Sequence, residues 1–204
     1  MQKSKLTNRI VNLLIRKESY FIGILCTLVM YAKAGICGAK IGKNNCFLGC
    51  SSLHIGNGGE IVIGKGNIFI SKETSNYIGL NHRCIISATP LEGKTCKLNI
   101  GDNCGFSGVS IWCFESISIG NRVRCGANAL IMDGDAHFDD YRVSPPRPII
   151  IEDDVFIGAN VVIKKGVTIG RNSVIGMNSV VVCNIPPNCV AVGNPAKVIK
   201  FLNK

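Results

Sequence analysis

Residues 151–181 read IEDDVFIGANVVIKKGVTIGRNSVIGMNSVV, and the spacing of their aliphatic residues decides the fold. Ile151, Ile157, Ile163, Ile169, Ile175 and Val181 recur every six residues without exception. Gly158, Gly170 and Gly176 each follow an isoleucine, while Val155, Val161, Val167, Ser173, Ser179 and Ile185 place a small or branched side chain four positions after each aliphatic one. A helix repeats near 3.6 residues and a strand at 2, so this period belongs to neither alone. It fits a short strand followed by a corner, with one aliphatic side chain turned inward per strand and glycine easing the backbone at the turn. Three such units close a coil, and stacked coils bury a column of Ile and Val while each strand pairs with its equivalents above and below. That is the logic of a parallel β-helix.

Outward from this core the unit recurs with interruptions at Ile41-Gly42, Leu48-Gly49, Ile55-Gly56, Ile63-Gly64, Ile78-Gly79, Ile100-Gly101, Ile119-Gly120, Cys125-Gly126 and Ile131. The early coils are therefore expected to be irregular. Residues 133–148 carry three prolines and several charges, which cannot continue the repeat, and are expected to leave it as an external loop. Residues 1–35 differ again: Ile10, Leu13 and Leu14, then Phe21, Ile24, Leu25 and Leu28, have helical spacing, with Ser19 as an N-cap between two helices. The uncharged run from Ser19 to Ala32 is fourteen residues, short of the roughly twenty a membrane span requires. The expected organisation is all-β: an amphipathic helical arm over 1–35, a repeat body over 36–190 and a C-terminal tail over 191–204. The arm either packs on the β-helix or lies at a membrane surface.

The 204 residues suffice for one hydrophobic core. The net charge of +10 is concentrated at the ends: residues 1–43 carry eight Lys/Arg against one acid, and residues 164–204 carry six against none. Two basic regions suit an acidic surface at one end and a phosphate-bearing ligand at the other. Nucleic acid is disfavoured, because aromatics are scarce in both segments and no zinc-finger spacing occurs. Eleven cysteines without a CxxC pair or a cleavable leader point to reduced thiols in the cytoplasm, with Cys104 and Cys125 as core filler.

The repeats, the loop with its histidine and the tail Gly193-Asn194-Pro195-Ala196-Lys197-Val198-Ile199-Lys200 together resemble the hexapeptide-repeat acyltransferases. The nearest branch is similar to the maltose, galactoside and nodulation-type enzymes and to polysaccharide O-acetyltransferases. The resemblance implies a left-handed β-helix, a homotrimer with active sites between subunits, and acetyl-CoA as acyl donor. It implies a sugar or glycan acceptor, free or lipid-linked, and His137 in Asp133-Gly134-Asp135-Ala136-His137 as the catalytic base. Ala159 and Met177 are nominated for donor binding through backbone groups, and Lys197 and Lys200 for the 3′-phosphate of CoA. One departure stands out: Val182-Cys183 replaces the Thr-Lys common in the family, removing one basic contact.

The chemistry agrees with that assignment. Acetyl transfer to a hydroxyl requires a base, and a neutral imidazole suits the task near neutral pH. Asp133 or Asp135 is a candidate partner for the ring, Asp135 being preferred. The resemblance also nominates Ser107 for acceptor contact, and Trp112 is a further candidate that either stacks on a sugar ring or fills a corner. Asp133, Asp135, His137, Asp139 and Asp140 also invite a metal, but Phe138 stands where an EF-hand loop needs glycine, and His54, His82 and His137 are too scattered for a three-histidine zinc site. No metal is expected. The alternatives are an amino-sugar N-acetyltransferase and a catalytically idle β-helix serving assembly.

Overall fold

The computed structural model describes residues 21–203, so Ile10, Leu13, Leu14 and the Ser19 cap lie outside the described residues. Short strands stack into three sheets, here numbered in chain order. Sheet I holds Lys40–Ile41, Gly59–Ile63, Cys96–Ile100, Ser116–Ile119, Ile149–Ile151 and Thr168–Ile169. Sheet II begins with Cys46–Leu48, Ile68–Ile70 and Gly105–Ser107, continues through Arg124–Cys125, Phe156–Ile157 and Val174–Ile175, and ends at Cys189–Val192 and Lys197–Phe201. Sheet III holds Ser52–Ile55, Ile85–Ala88, Ser110–Cys113, Leu130–Met132, Val162–Ile163 and Val180–Val181. The chain visits I, II and III in turn, coil after coil, and all neighbours are parallel except the last pair in sheet II.

The hexad period sets this register. Ile151 pairs with Ile169, Ile157 with Ile175 and Ile163 with Val181, so each residue sits on its equivalent eighteen positions away. All six of these side chains are buried. Nearer the N-terminus the column in sheet II is aromatic: Phe47, Phe69 and Phe106 stack with ring centroids 4.8 and 5.0 Å apart. Cys104 and Cys125 are buried, as core filler should be.

Corners turn on residues in left-handed backbone, which glycine and asparagine enter most readily. Asn128, Asn160 and Asn178 occupy one such position in successive coils at φ between 56 and 60°. Just before them, a Cβ added to Gly126 or Gly158 would lie 2.7 Å from the amide nitrogen of Ala159 or Met177. At these two glycine positions the coils approach too closely for a side chain.

A helix over residues 21–37 closes the N-terminal end of the prism. Met30 and Ala34 join the core, Phe47 N–H donates to Thr27 Oγ1 at 2.9 Å, and Tyr31 O–H donates to the Gly42 carbonyl at 2.6 Å. Phe21, Ile24, Leu25, Leu28 and Val29 remain exposed on the opposite face. Among the described residues no helix is long and apolar enough to cross a membrane. The expectation for Ile78-Gly79 requires correction. These residues belong to a connection between Ile70 and Ile85 that carries a single 3-10 turn at Glu73–Ser75, and Ile78 is exposed. An Ile-Gly pair without hexad neighbours has no strand above or below to hold it in a coil.

Candidate functional site

Two long connections emerge at one edge of the prism, where sheet III hands over to sheet I: residues 89–95 and residues 133–148. Between them the intermediate coil turns tightly through Phe114 and Glu115. Asp133 makes that tight turn possible. Its carboxylate is wholly buried and accepts the N–H groups of Phe114, Glu115 and Ser116 at 2.7, 2.9 and 2.8 Å. The hydrogen bonds satisfy amides that the corner would otherwise leave orphaned.

His137 follows four residues later and is exposed. Ala136 and His137 stand at φ +61 and +22°, a backbone state that costs a β-carbon residue about 1–3 kcal/mol and is held only by its surroundings. The His137 carbonyl accepts Asp140 N–H at 3.0 Å, and Asp140 in turn engages the Arg142 guanidinium. Beneath the loop lie packed aromatic rings: Trp112 to Phe114 at 4.6 Å, Phe114 to Phe138 edge-on at 5.0 Å. Trp112 is 38% exposed, lies in register with Met132 at the loop's root and donates from Nε1 to Thr89 Oγ1 at 2.6 Å. Its ring is therefore partly exposed while its polar atom is already satisfied. A cleft of about 510 Å³ opens between the two connections, walled by Leu91, Lys94, Phe114, Glu115, Pro145 and Pro146. The 89–95 wall could not be read from the hexads, because an insertion at a corner leaves the flanking strands in phase.

Neither aspartate orients the histidine. Asp133 points into the corner, and the oxygens of Asp135 lie 2.6 Å from Lys164 Nζ and 2.6 Å from Lys165 Nζ. The assignment of Asp135 to the ring is thus corrected: with both oxygens drawn to ammonium groups of the next coil, it fastens the loop. Lys164 and Lys165 had no signal in the sequence beyond two charges inside a regular repeat. The hydrogen bond from Lys164, then that from Lys165, holds the Asp135 carboxyl below its usual range. A depressed acid adds stability that is fully present above its unfolded pKa of about 3.9 and is lost as pH falls through the lower folded value. The melting-temperature gap between wild type and Asp135→Asn should accordingly stay constant from pH 8 to about pH 5 and close at pH values below about 4. A gap independent of pH down to full acid unfolding would show that the carboxylate charge is not what fastens the loop.

The other nominated residues gather at a different edge, where sheet II hands over to sheet III. Ser107 accepts Asn128 N–H, Ala127 accepts Asn160 N–H and Ala159 accepts Asn178 N–H through their carbonyls, so Ser107, Ala127, Ala159 and Met177 form one column along successive coils. Among the described residues nothing accepts the N–H of Ala159 or Met177. Lys197 and Lys200 lie on the final antiparallel strand, paired with Val192 and Val190. Residues three apart on a strand normally face opposite ways, but a register shift between Val190 and Ala191 puts both lysines on the same outer face of sheet II. Val192 in turn packs where a Gly176 side chain would be, which brings Lys197 to the end of the Ala159–Met177 column. Within one chain Ser107 and His137 occupy different edges.

The acidic residues around His137 do not converge: Asp133 is committed inward, Asp135 to lysines and Asp140 to Arg142. Among the described residues no group of three metal-ligating side chains assembles. Burial pushes the Cys84, Cys96, Cys104, Cys113 and Cys125 thiols up, Cys113 further because the Asp133 charge lies beside it, so they stay protonated and unreactive at neutral pH.

Residues 148–183 match a family model described as the hexapeptide repeat of succinyl-transferase. A 2,3,4,5-tetrahydropyridine-2,6-dicarboxylate N-acetyltransferase of Alkaliphilus metalliredigens is 48% identical over 64 residues, covering 30% of this chain and 27% of that protein. A Schizosaccharomyces pombe protein named as an acetyltransferase is 43% identical over 103 residues, 48% of this chain and 47% of its own length. The chain thus spans about a quarter of the dicarboxylate enzyme and about half of the yeast protein. Among solved structures, the N-acyltransferase AntD of Bacillus cereus, in complex with dTDP-4-amino-4,6-dideoxyglucose and coenzyme A, superposes with a TM-score of 0.54 at 15% identity, covering 81% of this chain and 84% of that one. That likeness is one of fold. Taken with the eighteen-residue coils, these matches show a hexapeptide repeat over residues 148–183, and the relatives matched are named as acetyltransferases.

Proposed function

We propose that the protein transfers acetyl from acetyl-CoA to a hydroxyl of a sugar or cell-surface polysaccharide, with His137 as general base, from a left-handed β-helix assembled as a homotrimer. The observation that carries this reading is His137 itself: an exposed histidine on strained backbone in the 133–148 connection, next in sequence to Phe138, whose ring packs edge-on against Phe114. In the reaction the imidazole takes the hydroxyl proton as the oxygen attacks the thioester carbon. The C–S bond then breaks, and the proton passes to the departing CoA thiolate. Unpartnered N–H groups at Ala159 and Met177 suit the amide-rich arm of CoA, and Lys197 and Lys200 suit its 3′-phosphate.

The separation of the two edges supports the trimer. Donor residues on one edge and the base on another can share a site only between copies, and a three-faced prism packed edge to edge closes naturally with threefold symmetry. Ile68 and Phe156, half exposed on the outer face of sheet II, would be covered by such packing. We place the protein in the cytoplasm, with the exposed apolar face of the 21–37 helix touching the inner membrane surface. Leu25→Asp with Leu28→Asp should abolish co-sedimentation with anionic vesicles, and co-sedimentation equal to wild type would remove the membrane from the proposal.

Amino-sugar N-acetylation is the second reading, favoured by the N-acetyltransferase relatives. Thiol release from acetyl-CoA, measured with maltose and with glucosamine, separates them: release with maltose supports O-transfer, and release with glucosamine alone supports N-transfer. No release and no CoA binding would leave an idle assembly module.

Lys197→Ala with Lys200→Ala should raise KM for acetyl-CoA about three- to tenfold at low salt and less at high salt, with kcat unchanged, because contact with a remote phosphate is equal in ground and transition states. The variant should also lose the preference for acetyl-CoA over its 3′-dephospho form. Equal discrimination by wild type and variant would show that these lysines do not read the phosphate.

A further inference from the structure

Lys165 is the least exposed cation at the base of the 133–148 connection. Its side chain is 6% exposed, its Nζ lies 2.6 Å from Asp135 Oδ2, and it donates to the Ser144 carbonyl at 2.5 Å. One ammonium thereby ties together the ascending and descending limbs, with residues 136–143 and His137 between the two ties. The backbone closes the same neck from below: Arg147 N–H donates to the Asp133 carbonyl at 2.9 Å, and Gly166 N–H to the Arg147 carbonyl at 3.0 Å. Lys164 grips the second oxygen of Asp135 from a more exposed position.

Burying an ammonium costs free energy that an exposed lysine avoids, and burial is tolerated only where fixed partners replace water. Here those partners come from both limbs of the same loop. The stacked arrangement follows from register, because Val162–Ile163 pairs with Leu130–Ile131 and so sets Lys164 and Lys165 directly above the loop root. The strained backbone at Ala136 and His137 requires such a constraint, since a loose loop would relax out of it.

We propose that Lys165 is a positioning residue for His137: by clamping Asp135 to Ser144 it fixes the loop in the conformation that aims the imidazole. The inference rests on the general-base reading given above. The clamp acts through the loop and not on the donor, so its loss affects the chemical step and not acetyl-CoA binding.

The test compares Lys165→Met, Lys165→Arg and His137→Ala in the full chain. Hydrogen exchange of residues 136–143 should speed at least about tenfold in Lys165→Met while the coils from Ile149 to Val181 stay protected. Lys165→Arg, which keeps the charge, should restore part of the protection. With acetyl-CoA and whichever of maltose or glucosamine is acetylated, kcat should fall about tenfold or more at unchanged KM for acetyl-CoA. Should Lys165→Met fail to fold, Asp135→Asn with Lys165→Met removes both charges together and serves in its place. Exchange at 136–143 equal to wild type in a folded variant overturns the clamp, and faster exchange with unchanged kcat overturns its positioning role. Turnover indifferent to His137→Ala overturns the general-base reading instead, and the exchange comparison still decides the clamp.

Discussion

His137→Ala should leave the coils folded and lower kcat by roughly a hundredfold or more, the range expected when a general base is removed. The side chain is exposed, so truncation opens no cavity, and the carbonyl that accepts Asp140 N–H is retained. Alanine also enters left-handed backbone less readily than glycine, so His137→Gly provides the control that relaxes strain while removing the same imidazole. Both variants should show the melting temperature of wild type within a few degrees and the same KM for acetyl-CoA. Near-normal turnover in either folded variant would end the case for a histidine base. The measurement is steady-state thiol release at saturating donor, paired with circular dichroism.

The second large effect is on stability. Asp133→Ala should cost about 3 kcal/mol or more, because three buried N–H groups lose a charged acceptor that no water can readily replace. For a chain of this length that corresponds to a melting temperature lower by roughly 6–12 °C. Asp133→Asn keeps the shape but turns an amide N–H₂ toward backbone donors, so it should rescue little of the loss. A melting temperature unchanged in both variants would show that the corner holds without its carboxylate. Asp133 also begins the His137 loop, so its loss should depress activity as a consequence of unfolding, with the fraction folded and the fraction active falling together. Parallel loss is the opposite of the His137→Ala outcome, and the pair of variants therefore separates scaffold from chemistry.

Much of the scaffold was legible because one rule generates it. The hexad positions from Ile151 to Val181 are all buried and pair with an eighteen-residue offset, as three units per coil require. The same rule misled at Ile78-Gly79, where a matching dipeptide lacks neighbours in phase. Around the candidate site the sequence marked His137 and Trp112, the first by its place among charges at a break in the repeat, the second as a lone large aromatic. It did not mark the function of the charges themselves. Asp133 and Asp135 look alike in the chain, yet one caps a buried corner while the other grips two lysines. Lys164 and Lys165 look like ordinary outward residues of a regular coil until the register sets them above the loop root.

The sequence by itself determined that this chain coils, because an inward aliphatic residue every six positions is a local property that the window from Ile151 to Val181 displays. It likewise marked the interruption at 133–148, since proline and clustered charge cannot continue a strand, but not those at 71–84 and 89–95. Only the tertiary structure decided which residues share an edge. That depends on the lengths of every insertion between them and on which corner each insertion leaves, a quantity accumulated over the whole chain and invisible in any window. Hence Ser107, Ala159 and Met177 align on one edge, His137 and Trp112 on another, and Lys197 joins Lys200 on one face through a single register shift. Side-chain partners separated by tens of residues, such as Lys165 with Ser144, follow from that stacking alone.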